Sequence, residues 1–122
     1  MNAPLRTPLH FDLQGLLRAI ASNETNDRLG CKLDSSQWEV LAGYLQPFAL
    51  SQGQLLIEQG APDRTLYFLE SGALSVHYED DKGRVRLAMV APGSAVGEGA
   101  FFTHNPRNAT VQAAAPCKVW CL

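Results

Sequence analysis

Cysteine is scarce in this chain and poorly placed for cross-linking. The 122 residues hold three, Cys31, Cys117 and Cys121, an odd number with no Cys-x-x-Cys pair, which argues against a disulfide framework or a zinc knuckle and leaves reduced packing residues. Histidine is as sparse: His10, His77 and His104 lack metal-ligand spacing, so no metal site is expected and a metal-dependent jelly-roll enzyme lacks its ligand cluster. Ser35, Ser36, Ser71, Ser75 and Ser94 stand outside any nucleophile-elbow context. No carboxylate pair is spaced for acid–base work, so the chain is not expected to be an enzyme. No stretch approaches the roughly 20 apolar residues that span a bilayer, and the N-terminus has no lysine-rich start followed by an apolar run. A cytoplasmic location without a membrane segment is therefore expected. An excess of positive charge is also missing, with 10 Lys and Arg against 12 Asp and Glu and a formal charge of −2. A surface that neutralises many phosphates of DNA or RNA is not expected of this chain alone.

What is present describes one small globular domain. A hydrophobic content of 46% with 18% charged residues is ordinary for a chain that buries a single core. Pro4 and Pro8 predict an extended arm over residues 1–10. Phe11, Leu13, Leu16, Leu17 and Ile20 recur at helical spacing, with Asp12 at a favourable N-terminal place. A polar loop over 22–30 leads to a second helix, with Asp34 as cap, Gln37 three residues on, and Trp38, Leu41, Ala42 and Leu45 as its apolar stripe before Pro47. Beyond Pro47 the pattern changes to short strands separated by glycine: 48–50, 55–58, 65–69, then Leu74, Val76 and Tyr78 alternating with Ser75, His77 and Glu79. Asp80-Asp81-Lys82-Gly83 predicts a hairpin into Val85, Leu87 and Met89, which alternate with Arg84, Arg86 and Ala88. Two further strands, 109–113 and 118–122, are expected to close a barrel. The fold class is thus mainly β, a jelly-roll barrel or sandwich with flanking N-terminal helices.

The densest chemistry lies between Gly97 and Val111. Gly97, Gly99 and Ala100 let backbone N–H groups approach an anion, and a short helical turn over 100–103 would add its dipole. Arg107 supplies a planar fork for phosphate, while Glu98 suits a neutral hydroxyl partner. A glycine turn beside a solvated Glu and Arg is the plainer explanation for each residue taken singly. The spacing of the set favours a ligand site.

That segment resembles the phosphate-binding cassette of the cyclic nucleotide-binding domain family, found in catabolite-activator-type regulators, cyclic-nucleotide-dependent kinase regulatory subunits and cyclic-nucleotide-gated channels. Gly97, Glu98, Ala100, Pro106, Arg107, Ala109, Thr110 and Val111 fall in the family's register without a gap. The resemblance implies that Glu98 binds the ribose 2′-hydroxyl, that Arg107 binds the cyclic phosphate oxygens, and that the backbone over 97–100 lines the pocket behind a short cassette helix. Gly99 departs from the family's aliphatic residue, and Asn108 stands beside the arginine where Ala, Ser or Thr is usual. Asn108 can donate to a phosphate oxygen or accept from a base, and with Ala109 it completes the expected site.

The implied ligand is a cyclic nucleotide, cyclic AMP first, with no cofactor. The implied role is a regulatory or sensor domain of a signalling or transcription-regulatory protein. The alternative is a ligand-free interaction module, or a sensor of another small effector on the same fold. The family's iron–sulfur sensors group cysteines near the N-terminus, where Cys31 stands alone. Residues 1–32 fall outside the resemblance, as an arm and helix that packs on the barrel or connects to a partner, with packing favoured. Residues 33–122 form the expected binding domain. It ends before the family's C-terminal lid helices and any DNA-reading module, so a homodimer contact or a downstream output domain is the implied partner.

Overall fold

The structure is a computed structural model and describes residues 14–22, 35–97 and 105–122. The arm over 1–10, Asp12, Asp34, Cys31, His10, His104 and the cassette helix all lie outside the described residues. Two helices, α1 (Gln14–Ser22) and α2 (Ser35–Ala42), precede the strands β1 (Gln46–Leu50), β2 (Leu55–Ile57), β3 (Tyr67–Ser71), β4 (Leu74–Asp80), β5 (Gly83–Val90), β6 (Ala95–Val96), β7 (Thr110–Ala113) and β8 (Cys117–Cys121).

The strands form two antiparallel sheets, ordered β1-β8-β3-β6 and β2-β7-β4-β5. They face each other as a sandwich and are not closed into the expected barrel. β7 and β8 lie inside separate sheets instead of sealing a seam. The edge strands β6 and β2 are only two and three residues long, too short to pair across the gap.

Both faces of the first sheet are covered, and this explains the unbroken apolar run from Leu66 to Leu69. Successive strand residues point to opposite faces. Tyr67 and Leu69 enter the core between the sheets with Leu50, Ile57, Leu74, Val96, Val111 and Val119. Leu66 and Phe68 point outward and pack with Trp120, Leu45 and the α1 residues Leu16 and Ile20. The helix therefore uses its apolar spacing to dock on the sandwich, and Glu70 reinforces that side by accepting a 2.8 Å hydrogen bond from Trp120 Nε1.

Three local expectations change. Helix α2 ends at Ala42, where Gly43 N–H and Tyr44 N–H turn back to the carbonyls of Val40 and Leu41; Leu45 packs from beyond the helix. The first strand, expected over 48–50, begins at Gln46 and takes in Pro47; β1 is an edge strand, where a missing ladder donor is tolerated. In β5 the expected buried alternation fails. Val76 pairs with Ala88 and His77 with Arg86, leaving Leu87 in a bulge, and Val85, Leu87 and Met89 are all exposed. The strand has a neighbour on one side only, so alternation alone does not bury a face. Cys117 is a buried packing thiol, as expected, whose S–H donates to the carbonyls of Ala73 and Ala115.

Candidate functional site

Arg107 is the buried charged residue among the described residues. It follows the described edge of the cassette and is fixed first by its backbone: Arg107 N–H donates to Ala61 O at 2.9 Å, and Gly60 N–H donates to Arg107 O at 2.7 Å. This two-bond clamp holds the 105–109 segment against the loop between β2 and β3. The same loop supplies the side-chain partners.

The guanidinium spreads over three groups. Nε and Nη2 donate to the two carboxylate oxygens of Asp63 at 3.3 and 2.7 Å. Nη2 also donates to Thr65 O at 2.6 Å, and Nη1 to Gly97 O at 3.1 Å. One N–H on Nη1 remains uncommitted among the described residues. The Arg107 side chain is 2% exposed, whereas that of Asp63 is 47% exposed. A cation this buried needs such partners, and the fork geometry suits Arg over Lys.

The Arg107 hydrogen bond, aided by its charge, holds the Asp63 carboxyl below its ordinary range despite some desolvation. A depressed carboxyl pKa contributes stability above the unfolded value, and that contribution is lost as pH falls through the folded value. Acid should therefore weaken the wild-type domain more steeply than an Asp63→Asn variant in urea melts below the ordinary carboxylate range. Nearby, burial pushes the Tyr67 phenol up, so it stays protonated at neutral pH.

Gly97 is required here for space and conformation. Its φ is +88°, and a Cβ would lie 2.7 Å from Arg107 Nη1 and 2.8 Å from Thr65 O. Gly97→Ala should cost about 1–3 kcal/mol through left-handed strain and a displaced guanidinium, read as a lowered urea midpoint.

Of the expected site residues, Gly97 and Arg107 come together. Asn108 is exposed beside them and Ala109 is half-buried. Glu98, Gly99 and Ala100 lie outside the described residues. Reading the sequence missed Asp63 and Thr65. Asp63 stands 44 positions from Arg107 in a Pro-Asp turn whose local signal is only that of a turn.

Known proteins were compared with this chain. The profile of the cyclic nucleotide-binding domain matches residues 47–122. Acetyltransferase Pat of Mycolicibacterium smegmatis is 38% identical over 91 residues, covering 75% of this chain and 27% of that protein. A cAMP-dependent protein kinase regulatory subunit of Eremothecium gossypii is 33% identical over 110 residues, covering 90% of this chain and 22% of the relative. The regulatory domain of Toxoplasma gondii PKA, solved with cAMP, superposes with a TM-score of 0.71 at 30% identity, over 75% of this chain and 35% of that one. The chain thus spans about a quarter of the curated relatives' length.

Proposed function

Since the chain belongs to the cyclic nucleotide-binding domain family, we propose that it is the sensory part of a regulator and that its ligand is cyclic AMP, seated on Arg107. The observation that carries this reading is a buried guanidinium held by a half-exposed carboxylate beside a glycine that admits no side chain. The solved relative bound to cAMP and the kinase regulatory subunit support the choice of nucleotide.

In this reading the cyclic phosphate takes over the Nε and Nη2 donors of Arg107 that Asp63 holds, joined by backbone N–H groups over 97–100, while Glu98 accepts from the ribose 2′-hydroxyl. Asn108 and Ala109 border the phosphate. Asp63 holds the guanidinium flat and is a second anion next to the incoming one. Its exposure lets it turn toward water, so docking exchanges one anionic partner of Arg107 for another. Because Thr65, Asp63 and Gly97 share that guanidinium, the exchange is felt in the 60–65 loop and at the end of β6. A ligand that binds this rearranged state better than the empty one shifts the population toward it. A homodimer contact or an output domain then reads the difference, in the cytoplasm. Residues 33–122 carry the site, and no part of the scheme requires catalysis by this domain.

Calorimetric titration with cyclic AMP and cyclic GMP, repeated on Glu98→Gln, tests the proposal. Saturable binding that Glu98→Gln weakens supports it; a folded chain giving no heat with either nucleotide overturns it. Asp63→Asn separates a ligand site from a structural strut. Removing the competing negative charge should tighten cyclic AMP binding about threefold to tenfold while lowering stability by about 1 kcal/mol. Loss of stability without any change in affinity would mark Asp63 as a strut alone.

A further inference from the structure

A polar cavity lies on the outer face of the sheet β2-β7-β4-β5. Val76 and Val111 are directly paired and point into the core, so the next pair, His77 and Thr110, points outward. These two residues, with Leu55, Glu58, Glu79 and Arg84, line a cavity of about 400 Å³, within the roughly 300–1,000 Å³ of small-molecule sites.

Its walls are braced by two amides. Gln59 holds the backbone of Glu79 at both ends, accepting from its N–H and donating to its carbonyl at 2.8 Å each. Gln59 N–H in turn donates to Thr110 Oγ1 at 3.0 Å. Gln112 donates to Gly53 O at 2.8 Å and accepts from Arg84 Nη2 at 2.7 Å.

Glu79 and Arg84 face each other across β4 and β5 without forming an ion pair. Arg84 Nη2 is spent on two neutral acceptors, Gln112 Oε1 and, at 3.0 Å, His77 Nδ1. Arg donates only, so His77 Nδ1 accepts and the ring proton sits on Nε2. Desolvation, then the charges of Arg84 and Arg86, hold His77 below its usual pKa, which favours the neutral ring. Among the described residues, the ion pairs are those of Arg107 with Asp63 and Lys118 with Glu70, so neither Glu58 nor Glu79 has a cationic partner. Arg84 retains its Nε and Nη1 donors.

We propose that this cavity binds a zwitterionic α-amino acid with an apolar side chain, its ammonium between Glu58 and Glu79, its carboxylate on Arg84 and its side chain along Leu55. Glu58 and Glu79 offer acceptors to a cation, and the spare donors of Arg84 offer a place for an anion. A single molecule bearing both charges satisfies them together. A simple amine leaves Arg84 unmatched, and a simple carboxylate leaves the glutamates unmatched.

The test is a titration of the ¹⁵N-labelled chain with L-leucine, L-methionine and L-phenylalanine, read by amide shifts. Isoamylamine, which lacks the carboxylate of leucine, and 4-methylpentanoate, which lacks its ammonium, are the controls. The expected result is saturable shifts centred on Gln59, His77 and Thr110 with at least one amino acid. Its single-charge analogue should bind at least about tenfold more weakly, as should the amino acid to Arg84→Gln or Glu79→Gln. Absence of saturation with all three amino acids overturns the proposal. So does isoamylamine binding as well as leucine, which marks a site for cations alone, or unchanged affinity in Arg84→Gln with the amide spectrum otherwise preserved.

Discussion

Replacing Arg107 by lysine should lower the affinity for cyclic AMP by about a hundredfold, because an ammonium cannot present paired coplanar donors to two phosphate oxygens. The charge is conserved, so a loss of this size isolates geometry from simple attraction. The same substitution disturbs the domain itself. Arg107 is 4% exposed and bonds to Asp63, Thr65 O and Gly97 O. A lysine reaches at most part of that set, which should cost about 2–4 kcal/mol. Titration must therefore be paired with a thermal melt, at a temperature where the variant is folded. Unchanged affinity in a folded Arg107→Lys domain would show that the phosphate is not held by the guanidinium.

Trp120→Ala should be the most damaging single truncation for stability, at about 3–5 kcal/mol in a domain whose total is about 5–15 kcal/mol. Trp120 is 1% exposed and fills the space between α1, Leu45 and the outer face of the first sheet. Its indole N–H bonds to Glu70, and Lys118 Nζ stands 5.2 Å above the ring. Truncation leaves a cavity under α1 and removes the indole donor from Glu70. Trp120→Phe keeps most of the volume but loses the donor, and should cost about 1–2 kcal/mol. Urea unfolding of the two variants separates packing from hydrogen bonding. Equal losses would mean that the bond to Glu70, and not the filled space, ties the helix to the sheet. Trp120 packs in the cluster under α1, whereas Asp63, Thr65 O and Gly97 O hold Arg107, so folded Trp120→Phe should bind cyclic AMP as the wild type does.

These two residues show how unevenly the fold can be read. The glycine-punctuated strands were legible, apart from the two-residue β6, because turn chemistry and alternation act over a few residues. The exposure of β5 was not, since it depends on whether another strand or sheet covers it. The two-sided burial of 66–69 likewise follows from α1 arriving on the outer face. Closure of the barrel failed for a similar reason: alternation says that strands form and which residues share a face, but not whether the edges meet.

The sequence by itself determined the family and the spacing of Gly97 and Arg107 within fifteen residues, because a short segment carries its own residue types and register. It also set the character of α1, whose apolar positions repeat at the helical period. Only the tertiary structure decided that Arg107 is buried, that Asp63 and Thr65 hold it, and that Gly97 has no room for a side chain. It also assembled Glu58, His77, Glu79 and Arg84 around one cavity from three different segments. Each of those outcomes joins residues far apart in the chain, and the hydrogen bonds and steric limits that fix them exist only once the sheets have packed.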